Sequence, residues 1–187
     1  MDMSPSFAIS LAVLLPLIGT VLIGMSDRRP NQREAVSILT SIALFYVVAG
    51  FLPDVMSGAR PSATWFEVLP GLSLAFEIEP LGMLFALVAS GLWIVTALYC
   101  IGYMRGNKES HQTRFYMCFA LAISAAIGIA FAANMFTLFI FYEVLTISTY
   151  PLVAHKQNEA AKSGARTYLG ILIGTSIGFQ LIAIIWT

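Results

Sequence analysis

Apolar runs long enough to cross a membrane recur six times along this sequence. A helix needs about 20 apolar residues to cross a hydrocarbon core of about 30 Å. The composition agrees, because 58% of the residues are hydrophobic and only 11% are charged, whereas a soluble domain has about 25% charged residues. We therefore predict a single all-α polytopic membrane domain, residues 1–187, with transmembrane helices at about 7–25, 36–52, 81–103, 115–132, 134–153 and 167–187.

The second run is the least apolar of the six. Ser37, Thr40 and Ser41 lie within it, and it is near the lower length limit for a membrane span. Hydroxyl side chains are tolerated in a span when they pack between helices. We therefore expect the second helix to lie among its neighbours.

The basic residues predict the orientation of the helices. Nine of the ten Lys and Arg side chains fall in segments 26–35, 104–114 and 154–166, which the six spans place on one side. The positive-inside rule assigns that side to the cytoplasm. We expect a multi-pass protein of the inner or plasma membrane with its N-terminus outside. The opposite side is acidic, with Asp2, Asp54, Glu67, Glu77 and Glu79 against the single Arg60.

A strand-like pattern lies between the second and third runs. Apolar residues at 72, 74, 76 and 78 alternate with small or acidic residues, which is the period of a half-buried strand. Pro70 and Gly71 provide a turn, and residues 65–69 can form the returning strand. This pattern predicts a short extracellular β-hairpin at about 63–79, and a simple loop is the alternative.

The sequence carries no pattern for a cofactor, a metal or a polyanion. Its formal net charge is zero, so no basic surface is available for nucleic acid. Cys100 and Cys118 match no metal or redox spacing, and neither a glycine-rich nucleotide fingerprint nor a helical histidine pair is present. We expect no cofactor, no metal and no nucleic-acid partner. Any energy for transport is expected from an ion gradient or a partner subunit.

Glu143 is the one charged residue that these boundaries place inside a span; the other nineteen fall in loops or at the N-terminus. It lies nine residues into the fifth run, which corresponds to a depth of about 13 Å. An ionised carboxylate there costs several kcal/mol unless it is paired, hydrated or protonated. A partner that moves or changes charge would let this carboxyl take up and release a proton.

Three further residues extend this candidate site along the helix. Thr146 and Tyr150 follow Glu143 at i+3 and i+7 and so share its face. Pro151 has no N–H to donate to the carbonyl of Ile147, which leaves a backbone acceptor on that face. We predict that Glu143 is a proton relay, with Thr146, Tyr150 and Pro151 in support. The alternative is a permanently protonated Glu143 that only bonds between helices.

Other residues are weaker candidates. The spacing of Gly170, Gly174 and Gly178 is more typical of helix packing than of a site. His111 and His155 are expected in solvated loops, although either could receive a proton from the cytoplasm. Arg166, at the start of the sixth helix, is expected to extend its side chain to the membrane interface.

Three stretches resemble the proton-translocating antiporter-like membrane subunits of respiratory complex I, Mrp-type cation/proton antiporters and membrane-bound hydrogenases. The first combines EPLGM at 79–83 with LYCIGYM at 98–104. The second is 134–150, with FYE at 141–143, and it resembles the fifth helix of the family. The third is EAAKSGARTY at 159–168, which resembles the start of the sixth helix. The likeness covers residues 70–180.

The resemblance implies proton transport in which Glu143 is the key glutamate of the family, with sodium exchange in the Mrp branch. The motif around Glu143 looks closer to the D-type Mrp subunit and the hydrogenase-type subunits than to the quinone-reductase forms. Members of the family are usually much longer, and the lysine that pairs with the glutamate lies on a later helix. The chain is therefore expected to be a fragment or one part of a split subunit, with that lysine outside it.

These inferences give three hypotheses for function. The first is a subunit of a multi-subunit membrane complex that translocates protons, or exchanges cations for protons, in contact with lipid and other membrane subunits. The complex could resemble an NADH:quinone oxidoreductase or a hydrogenase. The second is a structural or assembly subunit of a respiratory or hydrogenase complex in which Glu143 stays neutral. The third is a small-solute carrier in which Glu143 binds a cationic substrate.

Overall fold

A computed structural model describes residues 4–186 of the chain. Within this range, six helical stretches are long and apolar enough to cross a membrane, and a two-stranded antiparallel sheet lies between the second and the third. The predicted fold class is confirmed. Asp2 and Thr187, which entered the predicted boundaries and charge balance, lie outside the described residues. The elements are α1 (Pro5–Met25), α2 (Pro30–Ala49), α3 (Leu52–Met56), β1 (Ser62–Leu69), β2 (Leu72–Glu77), α4 (Pro80–Gly106), α5 (Gln112–Ala130), α6 (Met135–Val153), α7 (Glu159–Thr175), a π segment (Ser176–Leu181) and α8 (Ile182–Trp186).

Several helices extend beyond the apolar runs that predicted them. The second helix begins at Pro30 instead of residue 36, and the sixth begins at Glu159 instead of residue 167. Proline is favoured in the first turn because its missing N–H would be unbonded there anyway. Asn158 caps α7, since its side-chain oxygen accepts from the N–H of Ala161 at 2.7 Å. Polar residues at these helix ends therefore belong to the helices and not to the loops.

The helices α1, α2, α4 and α5 enclose the apolar core. α1 packs against α2 and α5, α2 packs against α4, and α4 also meets α5. α6 packs on α5, and α7 packs on α6 at the side of this group. The largest fully buried side chains of the core come from these helices and from the sheet: Ile9, Leu44, Phe76, Met83, Trp93, Ile127 and Phe131.

Three hydroxyl residues of α2 are buried where this helix packs against α1 and α4. Ser37, Thr40 and Ser41 are all below 9% exposed. The hydroxyl of Ser41 donates to the carbonyl of Ile38 at 2.8 Å, so this buried hydroxyl has a partner within its own helix. The second helix therefore lies among its neighbours on the side that carries these hydroxyls, as expected.

The sheet is a hairpin closed by Pro70 and Gly71. Its register runs from the pair Ser62 and Glu77 to the pair Leu69 and Leu72, with two irregularities along β1. Gly71 has φ +85°, a conformation that favours glycine at the third position of a type II turn, and proline favours the second. The hairpin is therefore present where the alternating pattern predicted it.

The hairpin is fixed to one end of the helix bundle. The indole Nε1 of Trp65 donates to the hydroxyl of Ser10 on α1 at 2.8 Å. The free edge of β2 bonds to the α5–α6 connection, where the N–H of Glu77 donates to the carbonyl of Phe131 at 2.8 Å. The N–H of Ala133 donates to the carbonyl of Ala75 at 3.0 Å. These bonds satisfy backbone groups that an isolated hairpin would leave open. We call this the hairpin end.

The opposite end of the bundle carries the predicted cluster of basic residues, and we call it the basic end. Two charged residues assigned to a loop there, Arg33 and Glu34, lie inside α2 and are 5% and 4% exposed. The carboxylate of Glu34 accepts from Nε of Arg105 at 2.9 Å and from its Nη2 at 2.5 Å. The guanidinium of Arg33 donates to Thr113 at 3.0 Å and Gln112 at 2.7 Å. The prediction that the other nineteen charged residues lie in loops or at the N-terminus is therefore wrong, because paired charges at helix ends extend the helices past the apolar runs.

His155 is not the solvated loop histidine that the sequence suggests. Its side chain is 15% exposed, and its ring meets that of Phe115 edge to face at 5.7 Å. Burial lowers the pKa of His155 below its ordinary value of 6.5; Arg114 and His111 add to that effect and Glu109 opposes it. The ring is therefore held in its neutral form more readily than a free histidine.

Glu34→Ala is expected to destabilise the fold strongly. The change leaves Arg33 buried without its carboxylate, and breaking a buried pair in this way costs on the order of 3 kcal/mol. The control is Glu159→Ala, because Glu159 is 90% exposed in its pair with Lys162 and such pairs contribute about 1 kcal/mol or less. Unfolding in detergent micelles measures both variants. Equal losses in the two would contradict the structural role of Glu34.

The stability of the protein should fall as the pH falls through the titration range of His155. Its folded pKa lies below the unfolded value of 6.5, so the unfolded chain binds more protons in between. The stabilisation is complete above pH 6.5 and is lost as the pH falls through the folded pKa. Thermal midpoints from pH 5 to pH 8 should depend less on pH in His155→Asn than in the wild type. Arg28→Gln, at an exposed position of the same end, is the control; a pH dependence unchanged in His155→Asn would refute the prediction.

Candidate functional site

The start of α6 is anchored by the hairpin. Asn134 caps this helix, since its Oδ1 accepts from the N–H of Thr137 at 2.8 Å. The Nδ2 of Asn134 donates to the carbonyl of Ser73 at 2.8 Å, and the hydroxyl of Thr137 accepts from the N–H of Ala75 at 3.0 Å. Asn134 and Thr137 are therefore bonded both to each other, in the first turn of α6, and to β2. The height of α6 in the bundle is set by these contacts.

Phe141 fixes the rotation of α6. Its ring lies 5.6 Å from that of Phe76 on the hairpin and 6.4 Å from that of Trp65, both edge to face. On α5, the same ring occupies the space that a Cβ on Gly128 would need. A larger residue at position 128 would displace Phe141. Because Phe141 points between the hairpin and α5, Glu143 two residues later faces a different neighbour.

That neighbour is the last helix. The carboxylate oxygen Oε1 of Glu143 accepts a hydrogen bond from the hydroxyl of Ser176, the first residue of the π segment. Ser176 is 5% exposed. Among residues 4–186, no Lys, Arg or His lies within ion-pair distance of Glu143. The partner that the structure gives this carboxyl is therefore a neutral hydroxyl.

The hydroxyl of Ser176 can serve both protonation states of Glu143. Its oxygen also lies 3.1 Å from the carbonyl of Ile173, so its single proton has two acceptors within reach. When the carboxyl is ionised, Ser176 donates to it. When the carboxyl is protonated, it can donate to the oxygen of Ser176, whose own proton then turns to Ile173. A rotation about one side-chain bond therefore matches either state.

The backbone at Ser176 departs from α-helical geometry. Residues Ser176–Leu181 form a π-helical segment between α7 and α8. π segments are rare, because their wider turn is less favourable than that of an α-helix. Those that are retained are frequently found at functional sites. This irregularity begins at the residue that contacts Glu143. The π segment is therefore a second observation, independent of the carboxyl of Glu143, that points to this contact.

The other predicted site residues lie along α6 toward the basic end. Thr146 is 3% exposed, and its carbonyl accepts from the hydroxyl of Thr149 at 3.0 Å. The hydroxyl of Ser148 donates to the carbonyl of Leu145 at 2.8 Å. Such bonds to preceding carbonyls accompany helix bending. α6 continues past Pro151 to Val153, so the proline does not end it.

Tyr150 and Pro151 line a cavity at the basic end. The cavity has a volume of about 400 Å³ and lies where α5, α6 and the start of α7 meet. Three cations line it as well, and its lining includes no carboxylate. The complete lining is Arg114, Tyr150, Pro151, Ala154, Gln157, Lys162 and Arg166.

The structure thus divides the predicted site into two places. Glu143 meets Ser176 in the middle of the last helix, whereas Tyr150 and Pro151 belong to the basic cavity about 10 Å further along α6. Sequence reasoning missed Ser176. The signal in the sequence is the pair of hydroxyl residues Thr175 and Ser176 within the apolar run 167–187. The glycines of that run have open space around them.

Proteins named as antiporter subunits are similar to this chain in sequence. No family model matches it. The Na(+)/H(+) antiporter subunit A1 of Staphylococcus aureus strain bovine RF122 / ET3-1 is 28% identical over 183 residues, which covers 93% of this chain and 22% of that protein. Subunit A1 of Staphylococcus aureus strain JH9 shows the same identity and coverage. The chain therefore spans about a fifth of the length of these relatives.

A solved structure shares the fold. The chain superposes with a TM-score of 0.73 on a chain of the membrane-bound sulfane sulfur reductase (MBS), an archaeal respiratory membrane complex. The sequences are 21% identical, and the match covers 90% of this chain and 36% of the other. The sequence relatives confirm the resemblance to antiporter subunits, and this match shows that the fold occurs in a respiratory membrane complex. The relatives carry the name A1, and the D-type branch stays a prediction.

Ser176→Ala should change the vibrational spectrum of the Glu143 carboxyl. The protonated carboxyl donates its O–H to the oxygen of Ser176, and losing that acceptor raises the C=O stretching frequency, because a carboxyl whose O–H is hydrogen-bonded has a weaker C=O bond. Infrared difference spectra recorded on a pH change, with Glu143→Gln to assign the band, measure this shift. Ser176→Thr retains a hydroxyl and is the matched control. The same band position in all Ser176 variants would refute the contact.

Proposed function

We propose that this chain serves in ion translocation across a membrane, as a subunit of a multi-subunit complex or part of one, with Glu143 as its proton relay. The observation that carries the proposal is the pairing of Glu143 with Ser176, whose hydroxyl matches both the ionised and the neutral carboxyl. Similarity to proteins named Na(+)/H(+) antiporter subunits supports an ion as the cargo. The proposed reaction is proton transfer, coupled to cation exchange.

We place the cationic partner of Glu143 outside this chain. The chain has three lysines, Lys108, Lys156 and Lys162, and all three lie at the basic end. A relay carboxyl works with a partner whose charge or position changes. A lysine on another segment or subunit, reaching the open side of the contact between α6 and the last helix, would provide that change.

The proposed setting is a plasma or inner membrane with the basic end in the cytoplasm. The nine basic side chains at that end support this orientation through the positive-inside rule. It places the hairpin outside. Other membrane subunits are the proposed partners, because the relatives are named as antiporter subunits and the solved match is part of a respiratory membrane complex.

A second candidate is a structural or assembly subunit with Glu143 permanently protonated. The same contact favours it, since a neutral carboxyl that bonds to Ser176 would join α6 to the last helix. The two candidates differ in one respect: the relay must lose its proton in each cycle, whereas the structural bond must keep it.

Glu143→Gln separates the two candidates. Gln keeps the shape and hydrogen-bonding capacity of the neutral carboxyl but cannot titrate. In cells whose only copy of the chain is the variant, proton movement in everted membrane vesicles, followed with a pH-sensitive dye on addition of sodium, should fall at least about tenfold. Native gels should show unchanged assembly. The control is Glu67→Gln, because the Glu67 carboxylate is in the hairpin, where it accepts from the N–H of Gly71.

Normal proton movement in Glu143→Gln, with normal assembly, would reject the relay and support the structural candidate. Loss of proton movement in Glu67→Gln as well would show that the effect is not specific to Glu143.

A further inference from the structure

We propose that the cavity at the basic end binds the headgroup of an anionic phospholipid. The cavity of about 400 Å³ is lined by Arg114, Lys162 and Arg166, with no carboxylate among its lining residues. Three cations around one space repel a hydrated cation and attract an anion. Basic pockets between membrane helices are a recurrent place for acidic headgroups. The positive charge of the cavity therefore favours an anionic headgroup as its ligand.

Two of the three cations, Arg114 and Lys162, are held in place by their own contacts. Nη2 of Arg114 donates to the carbonyl of His155 at 3.3 Å, and its guanidinium also donates to the side-chain oxygen of Gln157. Nε of Arg114 is buried without a hydrogen-bond partner among the described residues. Lys162 pairs with Glu159 at 3.2 Å, but that carboxylate is 90% exposed and lies outside the lining. The charge that faces the cavity is therefore not neutralised from within.

Polar atoms suited to a phosphate complete the lining. Tyr150 brings a phenol, and Gln157 brings an amide, to the same space. Phosphate oxygens accept hydrogen bonds from guanidinium, ammonium and hydroxyl groups, and those to charged donors are the stronger ones. The cavity thus offers both charge and donors to a phosphodiester.

The surface next to the cavity favours a lipid over free phosphate. Gly170 and Gly174 follow Arg166 at i+4 and i+8, so they lie on the same face of α7, and nothing lies within 4 Å of a Cβ built on either. On α6, Ile147 is one turn before Pro151 and is 60% exposed. A bare glycine face on α7 thus leads from Arg166 into the span, and α6 adds an exposed apolar side chain. We assign it to an acyl chain.

The test measures binding of phosphatidylglycerol to the purified full chain in detergent by native mass spectrometry. Replacing Lys162 and Arg166 together by Gln should weaken binding about tenfold or more. The matched control replaces Arg28 and Arg29 together by Gln, because both are exposed at the same end but outside the cavity. The control should change the affinity less than about threefold. Equal weakening in both double variants, or equal affinity of the wild type for phosphatidylcholine, would overturn the proposal.

Two further arms identify the source of the phosphate. Inorganic phosphate should bind much more weakly than phosphatidylglycerol, and comparable affinities would overturn the lipid assignment. Gly170→Leu fills the proposed acyl groove in a position with open space and improves helix propensity. It should lower the affinity for phosphatidylglycerol and leave that for inorganic phosphate unchanged. An unchanged lipid affinity in Gly170→Leu would refute the groove.

Discussion

Hydrocarbon offers no hydrogen bonds, so every polar group of a membrane span must find its partner within the protein. Most polar groups of the described residues follow this constraint, and the buried hydroxyl of Tyr116 on α5 is an exception. Backbone groups are bonded within the helices, and the one sheet lies at an end, where its free edge bonds to the α5–α6 connection. Buried hydroxyls bond to carbonyls, as Ser90 does to Ala86 at 2.7 Å and Ser124 on α5 does to Val13 on α1 at 2.7 Å. Glu143 meets the same constraint through the hydroxyl of Ser176.

The two ends of the bundle are held together by different kinds of interaction, and both ends affect the surroundings of the Glu143 carboxyl. At the hairpin end, backbone hydrogen bonds and aromatic packing fix the start of α6, and Phe141 fixes its rotation. At the basic end, ion pairs and side-chain hydrogen bonds connect α2 to α4 and α5. α6 is therefore a firmly placed element, whereas the last helix contains the π segment and packs mainly on α6. The contact between Glu143 and Ser176 joins a helix anchored at its start to an irregular one, and the proposed relay requires a bond at this place that can form and break.

The proposed relay and the proposed lipid site use separate parts of α6. Glu143 is near the middle of the helix, and Tyr150 and Pro151 are at its basic end, seven and eight residues further on. A proton relay needs a carboxyl shielded from bulk charge, whereas an anion site needs cations close to the membrane surface. The separation of about 10 Å along the helix satisfies both requirements. It also explains why one polar stripe in the sequence, 143 to 151, corresponds to two chemical environments in the structure.

The sequence by itself determined the six spans, the hairpin with its Pro70–Gly71 turn, the clustering of basic residues and the position of Glu143. These features are local, because the length of an apolar run, a period of two and a single charge in a span are each read within about 20 residues. The tertiary structure decided which of these residues are in contact. Ser176 is 33 positions from Glu143, Arg105 is 71 positions from Glu34, and Thr113 is 80 positions from Arg33. Which residues become partners depends on the height and the rotation of each helix relative to its neighbours. A stretch of about 20 residues contains no information on either. The π segment at Ser176 and the burial of His155 belong to the same class, since both are defined by the neighbours that packing brings together.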